Sequence, residues 1–217
     1  MKRNQALDFR VLLWLVVLVV IAGGVALVTT SGGSSGSSSA GAPKGLKTAQ
    51  GSFDAEGVLT PVRAAPALSL RNYLGQRVNI DSYKGKAVLV TFLYTNCPDV
   101  CPLIAANLNG ALRSDAGRTA GLSVLAVSVD PARDTQAAVH RYVITHRLAP
   151  AFRFLIGSSS QLERVWASYH VAAQPGPHGS VTHSTFEILI DPQGKERLLY
   201  DATITTADIV GDLSKLA

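Results

Sequence analysis

The sequence holds only two cysteines, Cys97 and Cys101, and its single methionine is Met1. Two neighbouring cysteines cannot form a disulfide framework, so they point to redox or metal chemistry. A thioether-lined metal site is excluded by the methionine count. The chain also lacks a cluster of lysines and arginines. Its 20 basic and 15 acidic residues are spread over 217 positions, and a formal charge of +5 reads as solvated surface charge. That distribution excludes a nucleic-acid footprint. No internal repeat is visible.

Charge is missing altogether from one stretch. Val11 to Val28 reads VLLWLVVLVVIAGGVALV, preceded by Lys2, Arg3 and Arg10 against a single Asp8. About 20 apolar residues cross a hydrocarbon core, so the run is near the lower limit for spanning. The basic bias of the first ten residues predicts a cytoplasmic N-terminus and an extracytoplasmic remainder. A cleaved signal peptide would put an A-x-A site close to the apolar run, whereas Ala40-Gly41-Ala42 lies far beyond it and precedes Pro43. An uncleaved anchor is the expectation. Without transit-peptide character at the N-terminus, the expected location is a bacterial cell membrane, crossed once. The run SGGSSGSSSAGA from Ser31 to Ala42 is a flexible coil by composition, with a root-mean-square reach of about 20 Å. The expected organisation is therefore a cytoplasmic segment at 1–10, an anchor at 11–28, a Gly/Ser-rich linker at 29–57 and a folded domain at 58–217.

Within that domain, short β-rich runs alternate with helical ones. Ala67–Leu70 and Val78–Ile80 predict a hairpin. Ala87–Tyr94 and Leu122–Val129 read as buried strands, with a helix from Asp99 to about Leu112 between them. Asp134 or Thr135 can cap a helix running to about His146. A short strand at Phe152–Ile156 and a helix at Ser160–Tyr169 follow. Phe186–Ile190 and Arg197–Tyr200 flank the turn Asp191-Pro192-Gln193-Gly194, and a helix closes the chain at Thr206–Leu216. Alternating buried strands and helices predict an α/β fold with a mixed central sheet flanked by helices. The order of elements predicts a thioredoxin-like topology.

Cys97-Pro98-Asp99-Val100-Cys101-Pro102 falls where a central strand gives way to a helix. A helix N-terminus presents free amides and partial positive charge, which favour thiolate. Pro98 suits a first helical turn, and sulfurs four residues apart can face one side of that turn. They can close a disulfide or hold one ion together. Dithiol oxidoreductases typically carry two intervening residues, not three, and a metal would need a further ligand. His183, in SVTHS just before the Phe186 strand, is the candidate, because the predicted fold sets that strand's start beside the first helix. Two thiolates and an imidazole suit Cu(I) and also accept Cu(II), whereas zinc wants a fourth ligand.

The blocks FLYTNCPDVCP, SVDPARDT and VTHSTFEILIDPQG resemble the Sco/SenC family of copper proteins, in the family's order, over roughly residues 64–216. The resemblance implies a thioredoxin fold, membrane anchorage and copper ligation by Cys97, Cys101 and His183. It also implies a role as a metallochaperone in assembling the binuclear copper centre of cytochrome c oxidase. The expected partner is that enzyme's copper-bearing subunit or another extracytoplasmic copper protein. Thr182 departs from the family pattern, which commonly has Asp directly before the ligand histidine. A carboxylate there would orient the imidazole.

Among secondary candidates, Asp134 is a cap or turn residue that the resemblance also connects with the site or its partner. Asp99 reads as a first-turn carboxylate or part of a docking surface. His178 lies on the same loop as His183 and within reach as an extra ligand, although a solvated loop histidine is the plainer reading. His140, His146 and His170 read as surface residues, and Trp166 and Tyr169 as core. A reductase that keeps a partner's copper-binding cysteines reduced through Cys97 and Cys101 is the alternative function. A thiol peroxidase is disfavoured by family analogy: it wants Thr three residues before its cysteine, and Tyr94 stands there.

Overall fold

The computed structural model describes residues 47–49, 51 and 53–216. The expected cytoplasmic segment, the anchor and most of the linker lie outside the described residues. Among the described residues, no helix is long and apolar enough to cross a membrane.

Strands β1 (Thr48–Ala49), β2 (Gly57–Ala64), β3 (Ser69–Asn72), β4 (Arg77–Asn79), β5 (Val88–Leu93), β6 (Ser123–Ser128), β7 (Phe152–Ile156), β10 (Phe186–Ile190) and β11 (Lys195–Asp201) form one sheet. Their spatial order is β1-β2-β11-β10-β5-β6-β7-β3-β4. Helices α1 (Cys101–Arg113), α2 (Asp115–Thr119), α3 (Gln136–Thr145), α4 (Ser159–Ser168) and α5 (Thr206–Leu216) surround it. A separate two-stranded ribbon pairs β8 (Ala173–Pro175) with β9 (Val181–His183). The mixed sheet and flanking helices make a thioredoxin-like α/β fold.

The sheet's centre follows directly from composition. Every residue of β5 and β6 is buried, as continuous apolar runs require when both faces are covered. These strands and β7 are parallel, while β10 and β11 run antiparallel across the DPQG turn. Alternate residues of β5 serve opposite faces. Phe92 meets the rings of Tyr169 and Phe186, whereas Thr91 donates to Glu187 at 3.1 Å. On the Glu187 face, its cross-strand neighbour Tyr200 donates to Asp212 of α5 at 3.1 Å. Helices α1 and α5 cross closely at Gly110, where a Cβ would strike the Thr206 side chain.

The β8–β9 ribbon and α2 form where no element is expected, and two further regions differ from the sequence expectation. Thr48 and Ala49, expected within the linker, pair with Leu59 and Val58 of β2, and β2 itself extends the sheet beyond β11. Its alternation fails after Leu59, because Thr60, Pro61 and Val62 all face solvent at a sheet margin. Helix α1 begins at Cys101, not at Asp99, so Pro98 precedes the helix and Pro102 occupies its first turn.

Candidate metal centre

The β5–α1 connection carries the chemistry. After Leu93 the chain leaves the sheet in a turn in which the Cys97 amide donates to the Tyr94 carbonyl at 3.3 Å. Cys97 therefore sits in a loop, half-buried, while Cys101 is the first residue of α1 and fully buried. The expectation that both sulfurs share one helical turn is corrected. They meet because the loop brings the Cys97 thiol within hydrogen-bond reach of the Cys101 thiol and of the Asp99 and Cys101 amides. Both are free thiols.

The pair is electrostatically unequal. The Cys101 thiol beside it holds the Cys97 thiol well below its ordinary value, helped by the amides of Asp99 and Cys101 and by the Tyr94 hydroxyl; burial opposes them. Cys101, which keeps the shared proton and is the more deeply buried, is pushed far up. When the pair has lost one proton, the charge therefore falls on Cys97 and the remaining proton on Cys101. Burial and the charge on Cys97 push the Tyr94 hydroxyl up, so it remains a proton donor.

His183 ends β9, paired with Ala173 across the ribbon. Its Nδ1 lies 2.8 Å from the Ser184 carbonyl oxygen, and burial holds its pKa below the ordinary imidazole value. A neutral ring that donates from Nδ1 keeps its lone pair on Nε2, the arrangement of a ligating histidine. The ring stands edge-on to Tyr94, with centroids 5.8 Å apart and planes at 85°. The Tyr94 hydroxyl also accepts from the Val181 amide at 3.4 Å. Tyr94 thus links thiol loop and histidine strand. Among the described residues, no group of three His, Cys, Asp or Glu side chains is close enough to hold a metal ion. The thiols are together; His183 stands beside them, across Tyr94.

Asp134 is 3% exposed and is not the cap of α3, a role that Thr135 takes by accepting from the Ala138 amide. Its Oδ1 accepts from the amide and hydroxyl of Thr95 at 2.9 and 2.7 Å, and its Oδ2 from Ser128 Oγ at 2.6 Å. It therefore fixes the turn two residues before Cys97. Asp99 is exposed and serves Cys97 through its main-chain amide. His178 is exposed on the loop between β8 and β9, at φ 53°. Trp166 and Tyr169 belong to the core, as expected. Sequence reasoning missed Tyr94 as a site residue. Its position at the end of a buried strand was legible, but its aim was not.

A thioredoxin-like domain with an unequal dithiol at the end of its central strand, and a neutral imidazole on the facing ribbon, is a thiol- or metal-handling protein of that fold. The family model described as SCO1/SenC matches residues 60–217, and the chain belongs to that family. It is 31% identical over 142 residues to the mitochondrial SCO1 homolog of Homo sapiens, a match covering 62% of this chain and 46% of that one. The chain thus spans about half the length of that relative. The structure of Bradyrhizobium japonicum ScoI with copper bound is similar at a TM-score of 0.62 and 29% identity, covering 71% of this chain and 100% of the other. BsSco, a member of the Sco family of cytochrome c oxidase assembly proteins in which a disulfide switch was identified, is similar at a TM-score of 0.59 and 26% identity, covering 70% and 92%.

Proposed function

We propose that this protein binds copper through Cys97, Cys101 and His183 and delivers it during assembly of the binuclear copper centre of cytochrome c oxidase. The observation that carries the reading is the donor set itself. A charged Cys97 thiolate adjoins a second thiol, and beside them a neutral imidazole keeps Nε2 free. Two soft sulfurs and one nitrogen favour Cu(I) and accept Cu(II), and binding to Cys101 releases its proton. Copper held by all three residues would require the His183 end of β9 to lie nearer the sulfurs than it does here. The copper in Bradyrhizobium japonicum ScoI and the oxidase-assembly role named for BsSco support the reading. Val11 to Val28 anchors the chain in a bacterial membrane, and the linker to residue 57 holds the domain at 58–217 on the extracytoplasmic side. There the exposed Asp99 contributes to the docking face for the oxidase's copper-bearing subunit.

The test is copper stoichiometry and affinity of the reduced, detergent-purified chain. One copper per chain is expected, with loss of tight binding in Cys97→Ala, Cys101→Ala and His183→Ala. If His183→Ala binds copper as tightly as the parent, the three-ligand set is wrong.

A second reading has its own observation. The charge asymmetry of the two thiols is that of a reductant, with Cys97 attacking and Cys101 resolving. In that role the protein reduces the partner's copper-binding cysteines and needs no His183. Reduction of an oxidised partner peptide by His183→Ala at the parent's rate, with copper binding absent from the parent, selects this reading.

A further inference from the structure

The turn after β6 touches both halves of the site. Ser128 Oγ donates to Asp134 and accepts from the Asp130 amide at 3.1 Å. The Asp130 carbonyl accepts from the amides of Arg133 and Asp134 at 3.1 and 2.9 Å. Asp130 and Asp134 are both buried, so the turn is a fixed frame. From it Asp134 reaches to Thr95, on the cysteine side.

Arg133 reaches the other way. Its Nε donates to Asp130 Oδ2 at 2.5 Å, which sets the plane of the guanidinium. Its Nη1 lies where a Cβ on Gly179 would have to go. Gly179 has φ +78°, in the left-handed region, so glycine is required there both by the backbone and by the guanidinium. Two residues on, the Val181 amide reaches Tyr94, and His183 follows two residues later. No acidic residue lies between Ala172 and Thr185, so the arginine meets this loop as a planar surface packed on bare backbone.

We infer that Arg133 is the positioning residue for His183: braced by Asp130, its guanidinium seats the β8–β9 loop at Gly179 and so keeps the imidazole beside Tyr94 and the thiols. One short turn then contacts both the loop that carries Cys97 and the loop that leads to His183. The inference rests on the copper-binding reading for its consequence, and on Gly179 and Asp130 for its geometry.

The reduced full chain is titrated with Cu(I) against a competing chelator. Arg133→Ala is expected to bind about tenfold more weakly, as it would if the competent loop conformation fell to about a tenth of the population. Combined with His183→Ala, it should cost nothing beyond His183→Ala alone, because it acts through that ring. Additive losses, or parent-like affinity in Arg133→Ala, overturn the inference. A metal-free readout separates this from failure of the copper reading. Hydrogen exchange at the Ser180 and Val181 amides should quicken in Arg133→Ala, while the dithiol potential measured against glutathione stays that of the parent. Gly179→Ala, which displaces the guanidinium from the opposite side, should quicken the same amides. Arg133→Lys, which keeps the charge and loses the plane, should resemble Arg133→Ala. Unchanged exchange in Arg133→Ala overturns the brace even if the chain binds no copper; parent-like exchange in Arg133→Lys overturns the packing account.

Discussion

Replacing Asp134 with asparagine removes one charge and keeps the shape, which makes it a sharp probe of the frame behind Cys97. The parent carboxylate accepts three hydrogen bonds, two from Thr95 and one from Ser128, at 2.6 to 2.9 Å and 3% exposure. Asparagine can keep its oxygen toward Thr95. Its amide nitrogen then faces Ser128 Oγ, which already accepts from the Asp130 amide. The serine proton loses its acceptor, and one amide proton is left without a partner. An unsatisfied buried polar group costs about 1–3 kcal/mol. At about 2–4 °C per kcal/mol for a domain of this size, the melting temperature should fall by roughly 2–12 °C. A neutral amide oxygen also holds the Thr95 amide and hydroxyl less strongly than a carboxylate does, so the turn before Cys97 loosens and Cys97 should lose part of its acidity. Both readouts are accessible in the reduced full chain, by thermal circular dichroism and by the pH dependence of iodoacetamide alkylation. A melt within one degree of the parent, with an unchanged alkylation profile, would refute the claim that Asp134 holds the cysteine loop.

Two further outcomes test the electrostatics. Cys101→Ala removes the largest cause of the low Cys97 pKa, so the alkylation midpoint of Cys97 should climb toward about 8.5, the ordinary thiol value; an unmoved midpoint would mean the amides and Tyr94 suffice. Glu187 is fully buried, with one oxygen accepting from Thr91 and Oε2 without a partner, and burial pushes its pKa up to about 8, aided by Asp201. The folded chain then keeps a proton that the unfolded chain releases above about pH 4.3, so stability falls as pH rises between that value and about 8. Glu187→Gln should therefore melt like the parent near pH 4 and several degrees higher by pH 9. Calorimetric curves with a constant offset across that range would contradict the assignment.

The two central strands were legible because burial on both faces leaves an uninterrupted apolar run, and no other local pattern of that length competes with it. The Phe186–Ile190 strand and the Thr206–Leu216 helix fall at the expected residues, bounded by the DPQG turn and by Thr205. β2 was not legible. Pro61 and the exposed run Thr60–Val62 break its alternation, and pairing with β11 and β1 makes it a strand. The start of α1 was misplaced by two residues, since a proline after a cysteine suits either a loop or a first helical turn.

By itself the sequence determined that this chain has one reactive centre: two cysteines and no others, at a strand–helix junction that favours thiolate. It also set the order of the central strands and their flanking helices, and hence the thioredoxin-like core of the sheet. Tertiary structure decided how the centre is tuned. Which sulfur carries the charge depends on the depth at which the loop and α1 bury each one. Tyr94, Asp134 and Arg133 acquire their roles from contacts 39 to 87 residues away along the chain. Such contacts leave no local periodicity, because their geometry exists only once the sheet has brought distant loops to one edge.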